Sequence, residues 1–594
     1  MNVKKIQSGD IAVNVSNQDV PGNIAVTRTI ESDSCDGAVF GVKPGELRQR
    51  VDEKKLEIVQ LKNCMRSGFE KSEKYYDEIM SMFGKKGERN ALSLLGTEMS
   101  VMMRSFAQDV EGAGRANAAL SALSKHVDGI NTFARRIQDL RLKIDGEVGD
   151  SIKEINNAIA AVVQANKNIN ASHGAIPDQD ELRQAKAVLL EQLNIRVLPS
   201  DGDMNVLVDA ASNLLVSGFE SAIFEFTPSI VMEADTHPYP VILTQISGSK
   251  DDMSAFLMSE KNKGRLQALM RFRDEILPDM QQQLDEYTRV FCDSANSIHN
   301  LGVSLKPSST LTGTIGIPGS EVIDNETVIS GFGTLRIGVM DVTTQKVLHH
   351  GNIDLTEIHN IGDLISAINT ADIGVHALIT GDGRLQIMAD NEESGIVMGS
   401  AGDEKALISA LSVFDARYGY NPSHFFGLNN LFETGSKGVG CSSVGLSSMI
   451  AIRSDIVQMP KDRLVRAELN SKINMEDEDQ AIEMGDVSLL AQLSIFYDQD
   501  QYFNGTLLSK PDRMSLSKYA DSLMAMQDRD ATANKEKLER VIYAMEGLSK
   551  EIEAISGVDM KDELQKSVNI QTMMTYYTRI ISIFNKISQI IFDL

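Results

Sequence analysis

Apolar residues recur at helical intervals through the first and last stretches of this 594-residue chain, with strand-like interruptions between them. Over residues 45–83, Val51, Ile58, Met65, Phe69, Tyr76, Ile79 and Phe83 share one stripe, with Glu, Lys and Arg between them. Gly84-Lys85-Lys86-Gly87 then supplies what a helix C-terminus favours: glycine for left-handed backbone, and cations against the negative end of the helix dipole. A second helix is predicted over residues 91–110. The strongest periodicity runs from 115 to 171. Leu120, Leu123, Val127, Ile130, Ala134, Ile137, Ile144, Val148, Ile152, Ile155, Ile159, Val162 and Ile169 follow steps of three, four or seven, uninterrupted by proline. About 57 residues at a rise of 1.5 Å make a rod of roughly 85 Å. A rod has no core of its own and must lie against other helices. Pro177-Asp178 opens a further helix to about residue 193. The first forty-odd residues, with Val20-Pro21-Gly22 and Ser32-Asp33-Ser34, read as irregular turns.

Between 195 and 250 the period changes to two. Val197, Asn205-Val206-Leu207-Val208, Leu214-Leu215-Val216 and Pro240-Val241-Ile242-Leu243 mark a small strand-rich excursion. Helix returns over residues 264–301 through Leu266, Leu269, Met270, Phe272, Ile276, Met280, Leu284, Tyr287 and Phe291. Residues 304–438 form a second strand-rich stretch. Leu335-Arg336-Ile337-Gly338-Val339 and Leu385-Gln386-Ile387 alternate, and Gly381-Asp382-Gly383 is a hairpin turn between strands at 375–379 and 385–388. A short helix over 361–369 packs across these strands. From about residue 443 the chain is read as helix again, interrupted at Gly557, with Asp559 as N-cap and Asp562 and Glu563 in the next first turn.

The fold class expected is mainly α with inserted β-rich domains (α+β). The N- and C-terminal segments pair in a long helical bundle or coiled coil, and the middle of the chain forms outer strand-rich domains. The divisions are a degenerate N-terminal segment (1–44), the N-terminal half of the rod (45–194) and a small β-rich excursion (195–255). A returning helix (256–303), an outer α+β domain (304–438), a helical C-terminal half of the bundle (439–558) and a terminal amphipathic helix (559–594) follow.

Composition narrows the classes of function. The chain carries 58 Lys+Arg against 83 Asp+Glu, a formal charge of −25. Nucleic-acid binding needs cationic surface to release counterions, and anionic membranes attract polybasic segments, so neither is an expected partner. Tryptophan is absent and only 13 prolines occur, which favours long helices. Cys35, Cys64, Cys292 and Cys441 are scattered without a CxxC pair and read as free thiols, so neither a disulfide framework nor a zinc ribbon is expected. No secretory signal pattern and no span of about 18 uncharged apolar residues is present.

No catalytic constellation stands out. His349, His350 and His359 lie on a strand and loop without ligand spacing and read as surface residues. Ser423-His424 lacks the glycine frame of a nucleophile elbow. Gly331-Phe332-Gly333 and the run from Gly435 to Gly440 are turns. The latter has Cys441 where a phosphate-binding loop needs lysine. The acidic stretch 475–480 lacks the alternating oxygens and glycine of a calcium loop. The chain is therefore expected to be no enzyme and to need no cofactor or metal.

The terminal helix is different. Ile570, Met574, Tyr577, Ile581, Phe584, Ile587, Ile591 and Leu594 step by four and three to the last residue, and from Leu564 onward only Lys566, Arg579, Lys586 and Asp593 are charged. Such a stripe is either ordinary core or an intermolecular seam.

Ser556-Gly557-Val558-Asp559-Met560-Lys561-Asp562-Glu563-Leu564 resembles the S-G-V-(N/D)-x-D-E-E-L segment of flagellar axial proteins, which precedes a terminal amphipathic helix. Gly264-Arg265-Leu266-Gln267-Ala268-Leu269 with Arg273-Asp274, and Asn296-Ser297-Ile298-His299-Asn300-Leu301-Gly302, are similar to helices of the flagellar hook-associated protein 1 (FlgK) family. Asn205-Val206-Leu207-Val208 with Leu214-Leu215-Val216-Ser217-Gly218 is similar to its N-V…L-V-x-G strands. Leu335-Arg336-Ile337, Ile353-Asp354-Leu355, Ile365-Ser366-Ala367-Ile368-Asn369 and Ser423-His424-Phe425-Phe426-Gly427-Leu428-Asn429 resemble the outer domain of alphaproteobacterial members. The pieces appear in the family's order from about 115 to 594. The family's opening box is echoed only by Val15-Ser16-Asn17, Pro21-Gly22 and Thr27-Arg28, and its D-L-L-D-Q-R-D motif is reduced to Glu181-Leu182-Arg183-Gln184-Ala185-Lys186.

The resemblance implies a non-enzymatic junction protein between hook and filament of a bacterial flagellum. Its subunits would form a ring of identical copies through the terminal helices. Its partners would be hook protein, other hook-associated and filament proteins, and an export chaperone on the C-terminal helix. It would reach the cell exterior by flagellar type III export, without a signal peptide. The residues alone leave a second class open, a secreted helical-rod adhesin or effector displaying a β-rich module.

Overall fold

The computed structural model describes residues 26–35, 38–49, 53–83, 91–172, 176–198, 206–209, 213–259, 261–314, 328–410, 418–434, 444–472, 476–506 and 510–556. It also describes residues 565, 568–569, 572, 575–576, 579–580 and 582–583. The frame is helical: α1 (Glu53–Phe83), α2 (Leu92–Gln108), α3 (Ala113–Ser172), α4 (Ile176–Gln192) and α5 (Arg265–Arg271). A π-helical turn at Phe272–Ile276 joins α5 to α6 (Leu277–Asn300), and α7 (Ile361–Thr370), α8 (Ser488–Ile495) and α9 (Leu516–Ser556) complete it.

The predicted rod is α3, 60 residues long and therefore about 90 Å. Its stripe from Leu123 to Ile169 is buried against α2, α4, α5 and α6 in one continuous apolar core, which also takes in α1, α8 and α9. The first and last long helices of the described residues meet in this frame. α1 lies along α9, and the buried Asn534 of α9 donates to the Phe69 carbonyl of α1 at 3.0 Å. The mainly α architecture with inserted β-rich units is the one expected, and its first and last long helices do pair.

Some helix contacts are backbone-close. A Cβ on Gly96 of α2 would sit 2.1 Å from the ring of Tyr497, a fully buried residue just after α8. Alanine is the better helix former by about 1 kcal/mol. Gly96→Ala is nonetheless expected to lower stability by about 2 kcal/mol, because an aromatic ring in a filled core must move to admit the methyl group. Urea denaturation of the two proteins checks this, and an unchanged or raised midpoint contradicts the packing described.

Among the described residues, strands occupy four places. β1 (Val26–Cys35) and β2 (Ala38–Gln49) pair antiparallel, with Val26 opposite Gln49. This corrects the expectation of irregular turns here and of a helix starting at 45. Val26, Thr27, Thr29, Ile30, Val39, Phe40 and Val42 are β-branched or aromatic and favour extended backbone. The excursion after α4 holds a four-stranded antiparallel sheet of β3 (Ile195–Leu198), β4 (Val206–Asp209), β5 (Leu214–Ser217) and β6 (Glu220–Ser221). A three-stranded sheet of β7 (Ile223–Glu225), β8 (Ile242–Thr244) and β9 (Lys250–Asp252) follows.

The outer module contains β10 (Gly302–Ser304), β11 (Thr310–Thr312), β12 (Ile329–Phe332), β13 (Thr334–Asp341), β14 (Val347–Asp354), β15 (Val375–Ile379), β16 (Leu385–Ala389), β17 (Ser394–Ser400) and β18 (Leu407–Ala410). It has its own core, in which Ile361, Leu364 and Ile368 of α7 meet Leu335, Ile337 and Val339 of β13. Asn360 caps α7 by accepting from Asp363 N at 2.8 Å, while Asp363 accepts from Asn360 N, a reciprocal capping box. Alternation along β13 predicts one wet face, yet six consecutive residues from Leu335 to Met340 are buried. The second face carries Arg336, whose guanidinium donates to Asn352 Oδ1 and to the Asn470 and Lys472 carbonyls, each at 2.9 Å. A second chain segment covers that face, which a single strand's pattern does not reveal.

After the outer module the chain is not uniformly helical, another correction. Among the described residues it runs through β19 (Phe432–Glu433), β20 (Ala451–Ile452), β21 (Val465–Glu468), β22 (Asp500–Phe503) and β23 (Asp512–Ser515). Short helices at Ser454–Gln458 and Pro460–Arg463 and helix α8 punctuate them before α9 begins at Leu516. β21 pairs with β10 and β19 with β20, so this segment seals the root of the outer module onto the bundle. Apolar residues at mixed spacing suit packed irregular chain as well as helix, and the partner segments decide between them.

Candidate assembly surface

The terminal stripe Ile570, Met574, Tyr577, Ile581, Phe584, Ile587, Ile591 and Leu594 lies outside the described residues, as do Gly557 and Asp559. The described positions between 565 and 583 are helical and exposed. They include Val568, Tyr576, Ile580 and Ile583, apolar side chains open to solvent at steps of eight, four and three. This set lies on a second face beside the terminal stripe, and a four-residue step, from Tyr576 to Ile580, marks it too.

The rod carries a second set of functional positions, and these are polar. Its apolar stripe jumps seven residues from Ile137 to Ile144, and the place between is Arg141. Arg141 is buried, and burial pushes its guanidinium down despite the neighbouring Asp274 and Asp145. It donates to the carbonyls of Arg273, Glu233 and Thr236 at 3.2, 3.0 and 3.1 Å. Asp145, one turn on, accepts from Arg273 at 2.8 Å and from the Ser229 backbone at 2.6 Å. Arg273 also forks onto Asp274 at 2.7 and 2.8 Å; burial opposes its charge, but the two carboxylates hold its affinity for the proton above the usual value. Further along, Asn156 pairs with both backbone groups of Phe224, and the buried Asn166 donates to the Gly218 carbonyl. The excursion of β5 to β9 is thus fastened along the rod by side chains at 141, 145, 156 and 166.

The motif residues of α5 and α6 have the same character. A Cβ on Gly264 would lie 2.3 Å from the Gln192 carbonyl, so only glycine lets α5 start against the end of α4. Asn296 accepts from the Leu431 and Phe432 amides at 2.8 and 2.9 Å and donates to the Phe432 carbonyl. His299 Nδ1 is 2.7 Å from the Asn429 carbonyl. A Cβ on Gly302 would overlap Leu489 and Val465, at 2.6 and 2.8 Å. These residues anchor the loop before β19 onto α6, and so set where the outer module leaves the bundle.

The groups considered for chemistry serve as fasteners too. Ser423 Oγ donates to Asn300 Oδ1 at 2.8 Å and His424 Nε2 stands 3.2 Å from Asp293 Oδ1, so each engages α6 rather than the other. His349 and His350 approach Asp477 of the acidic loop at 3.6 and 3.4 Å. His359 precedes α7, its amide donating to Asp363 at 3.1 Å. Gly331 and Gly333 flank the end of β12, where Gly333 has φ +73. The glycine run 435–440 and Cys441 lie outside the described residues. Cys64 and Cys292 are buried free thiols, and burial pushes Cys64 up to about 12. Among the described residues no three His, Cys, Asp or Glu side chains form a cluster that could hold a metal ion, and no helix is long and apolar enough to cross a membrane.

Residues 77–315, from the end of α1 through β11, match the family described as the flagellar hook-associated protein FlgK helical domain. Over these residues the chain is similar to the FlgK helical domain. The FlgK match contains the whole rod, the fastened excursion and both motif helices, the parts of the molecule tied together by the polar contacts above. Among solved structures, the chain is similar to the flagellar hook junction protein FlgK from Burkholderia pseudomallei, at 12% identity and a TM-score of 0.48. The similarity covers 84% of this chain and 100% of that one. No curated protein matches the chain.

Proposed function

We propose that this protein is a structural subunit of the bacterial flagellum, seated at the junction of hook and filament and assembled through its terminal helices. The observation that carries this reading is the FlgK helical domain at residues 77–315, set in a bundle whose outermost described long helices, α1 and α9, pair with each other. Apolar side chains exposed beyond α9, at Val568, Tyr576, Ile580 and Ile583, support an assembly role for that end. The stripe of Ile570, Met574, Tyr577, Ile581, Phe584, Ile587, Ile591 and Leu594 is the proposed seam, burying apolar area against neighbouring copies at about 25 cal/mol per Å². The same segment is the proposed seat of an export chaperone before assembly, with hook and filament proteins as neighbours afterwards. A repeated head-to-tail contact closes into a ring when its rotation closes.

Immunogold labelling of flagella with an antibody to this protein is expected to mark one band where the hook ends. Deleting residues 559–594 is expected to abolish filament attachment and leave the melting temperature of the purified protein nearly unchanged, since among the described residues the last buried apolar side chain of α9 is Val541. Filaments that attach normally in the deletion strain, or label absent from flagella, would falsify the reading.

A further inference from the structure

We infer that the loop between β7 and β8 docks into the groove between α1, α5 and α9 of a second copy of this chain. This inference deepens the proposed function and rests on it.

The loop is apolar, acidic and held in place. Ile230 is 93% exposed and Val231 60%, with Glu233 and Asp235 beside them. Large aliphatic side chains so open to water usually mark an interaction surface when they cluster. The loop beneath them is clamped. Ser229 N donates to the buried Asp145, Arg141 donates to the Glu233 and Thr236 carbonyls, Pro228 lies over Gly149 of the rod, and Met232 is buried. Glu233 and Thr236 close a turn on themselves through two more hydrogen bonds. The two aliphatic side chains are thus presented on fixed backbone, so little ordering entropy remains to be lost on docking.

The groove is the complement in charge and in apolar character. It has a volume of about 500 Å³ and an apolar floor that includes Phe69, Tyr76 and Phe272. Its rim carries Lys62, Lys263, Arg271, Lys537 and Arg540, against Asp530 alone among the lining carboxylates. Glu275 and Glu536 meet Arg271 and Arg540 from outside it, which still leaves cations in the majority. In a chain of net charge −25 this is an inversion of the surrounding field, and an acidic-apolar segment is what such a groove attracts. Loop and groove lie on different sides of one molecule. Arg273 faces the rod beside the loop, whereas Arg271 and Phe272, immediately before it in the chain, line the groove. A copy cannot close this contact on itself, and the repeated contact runs head to tail.

The test uses the full-length protein at high concentration with a photo-crosslinking amino acid at position 230, in an equal mixture of isotopically light and heavy chains. Cross-linked peptides joining light and heavy copies, with the partner site within residues 62–76, 263–276 or 530–541, are the expected result. Replacing Glu233 and Asp235 by Lys, or Lys537 and Arg540 by Glu, is expected to reduce that cross-link about tenfold, and combining the two reversals to restore it. Cross-links confined to one chain, directed elsewhere, or absent overturn the inference, as does a combined variant no better than either parent. A protein that labels the hook end yet fails this test loses this contact and keeps its proposed place in the flagellum.

Discussion

Asp145→Ala is expected to destabilise the protein by about 3 kcal/mol, among the largest effects of any single substitution in the rod. Arg141, Arg273, Asp145 and Asp274 form a cluster of two cations and two anions, with Arg141, Arg273 and Asp145 all buried. Removing one carboxylate leaves a net positive charge in a desolvated site. It also leaves the Ser229 amide and one face of the Arg273 guanidinium without an acceptor. Asp145→Asn keeps an oxygen for Ser229 but not the charge, and is expected to fall between the two. Asp145→Ala combined with Arg273→Met restores neutrality and is expected to be more stable than Asp145→Ala alone. Urea midpoints by circular dichroism read the stability. Amide exchange over residues 226–237 should rise in the single variant, because the same cluster holds that loop. An unfolding free energy within about 0.5 kcal/mol of the parent would mean that the cluster is not the fastener described.

A second large effect is expected on acidification. His126 is buried in the bundle, with Nε2 2.9 Å from Tyr287 Oη, which in turn lies 3.3 Å from Tyr497 Oη. His299 is buried at the root of the outer module. Burial pushes each from 6.5 down to about 3; for His299 the Arg453 charge adds to this, against the opposing hydrogen bond to Asn429. Both imidazoles are therefore neutral in the folded protein at pH values where the unfolded chain binds protons. Stability is complete above 6.5 and declines as pH falls below it, by at most about 1.4 kcal/mol per pH unit for each histidine. Carboxylates held low in the fold, such as Glu147 and Asp455, lose their contribution only below their ordinary values of 4.5 and 3.8. The interval from 6.5 to about 5 lies above those values and reports the histidines, with the buried Asp285, pushed up by desolvation, acting in the opposite sense. Urea midpoints across that interval should drop steeply in the parent and less steeply in His126→Gln. Equal slopes would place the acid sensitivity elsewhere.

Most of the helical frame was legible from residue spacing. A stripe of aliphatic residues at steps of three, four and seven can be satisfied by one arrangement only, a helix with that face buried, and α3 runs to within two residues of its predicted limits. The hairpin at Gly381-Asp382-Gly383 and the capped helix that follows Asn360 are equally local, because turn glycine and capping side chains act on backbone a few residues away. The motif residues Gly264, Arg273, Asn296, His299 and Gly302 were visible as a family resemblance. Their work as close contacts and backbone clasps was not, since every partner lies far along the chain.

What spacing could not reveal was the identity of the neighbour. Arg141, in the gap of the rod's apolar stripe, and Asp145 beside it are buried fasteners, because a loop from about 90 residues later supplies complementary groups. β13 reads as half wet and is covered on both faces, because the segment at Asn470 and Lys472 returns over it. Residues 444–515 read as helix and instead alternate short helices with short strands, because β10 and β19 offer edges to β21 and β20, and β22 pairs with β23. Periodicity is a property of a segment alone and survives in the sequence. Burial of a polar face is a property of two segments at once, and only the folded chain brings them together.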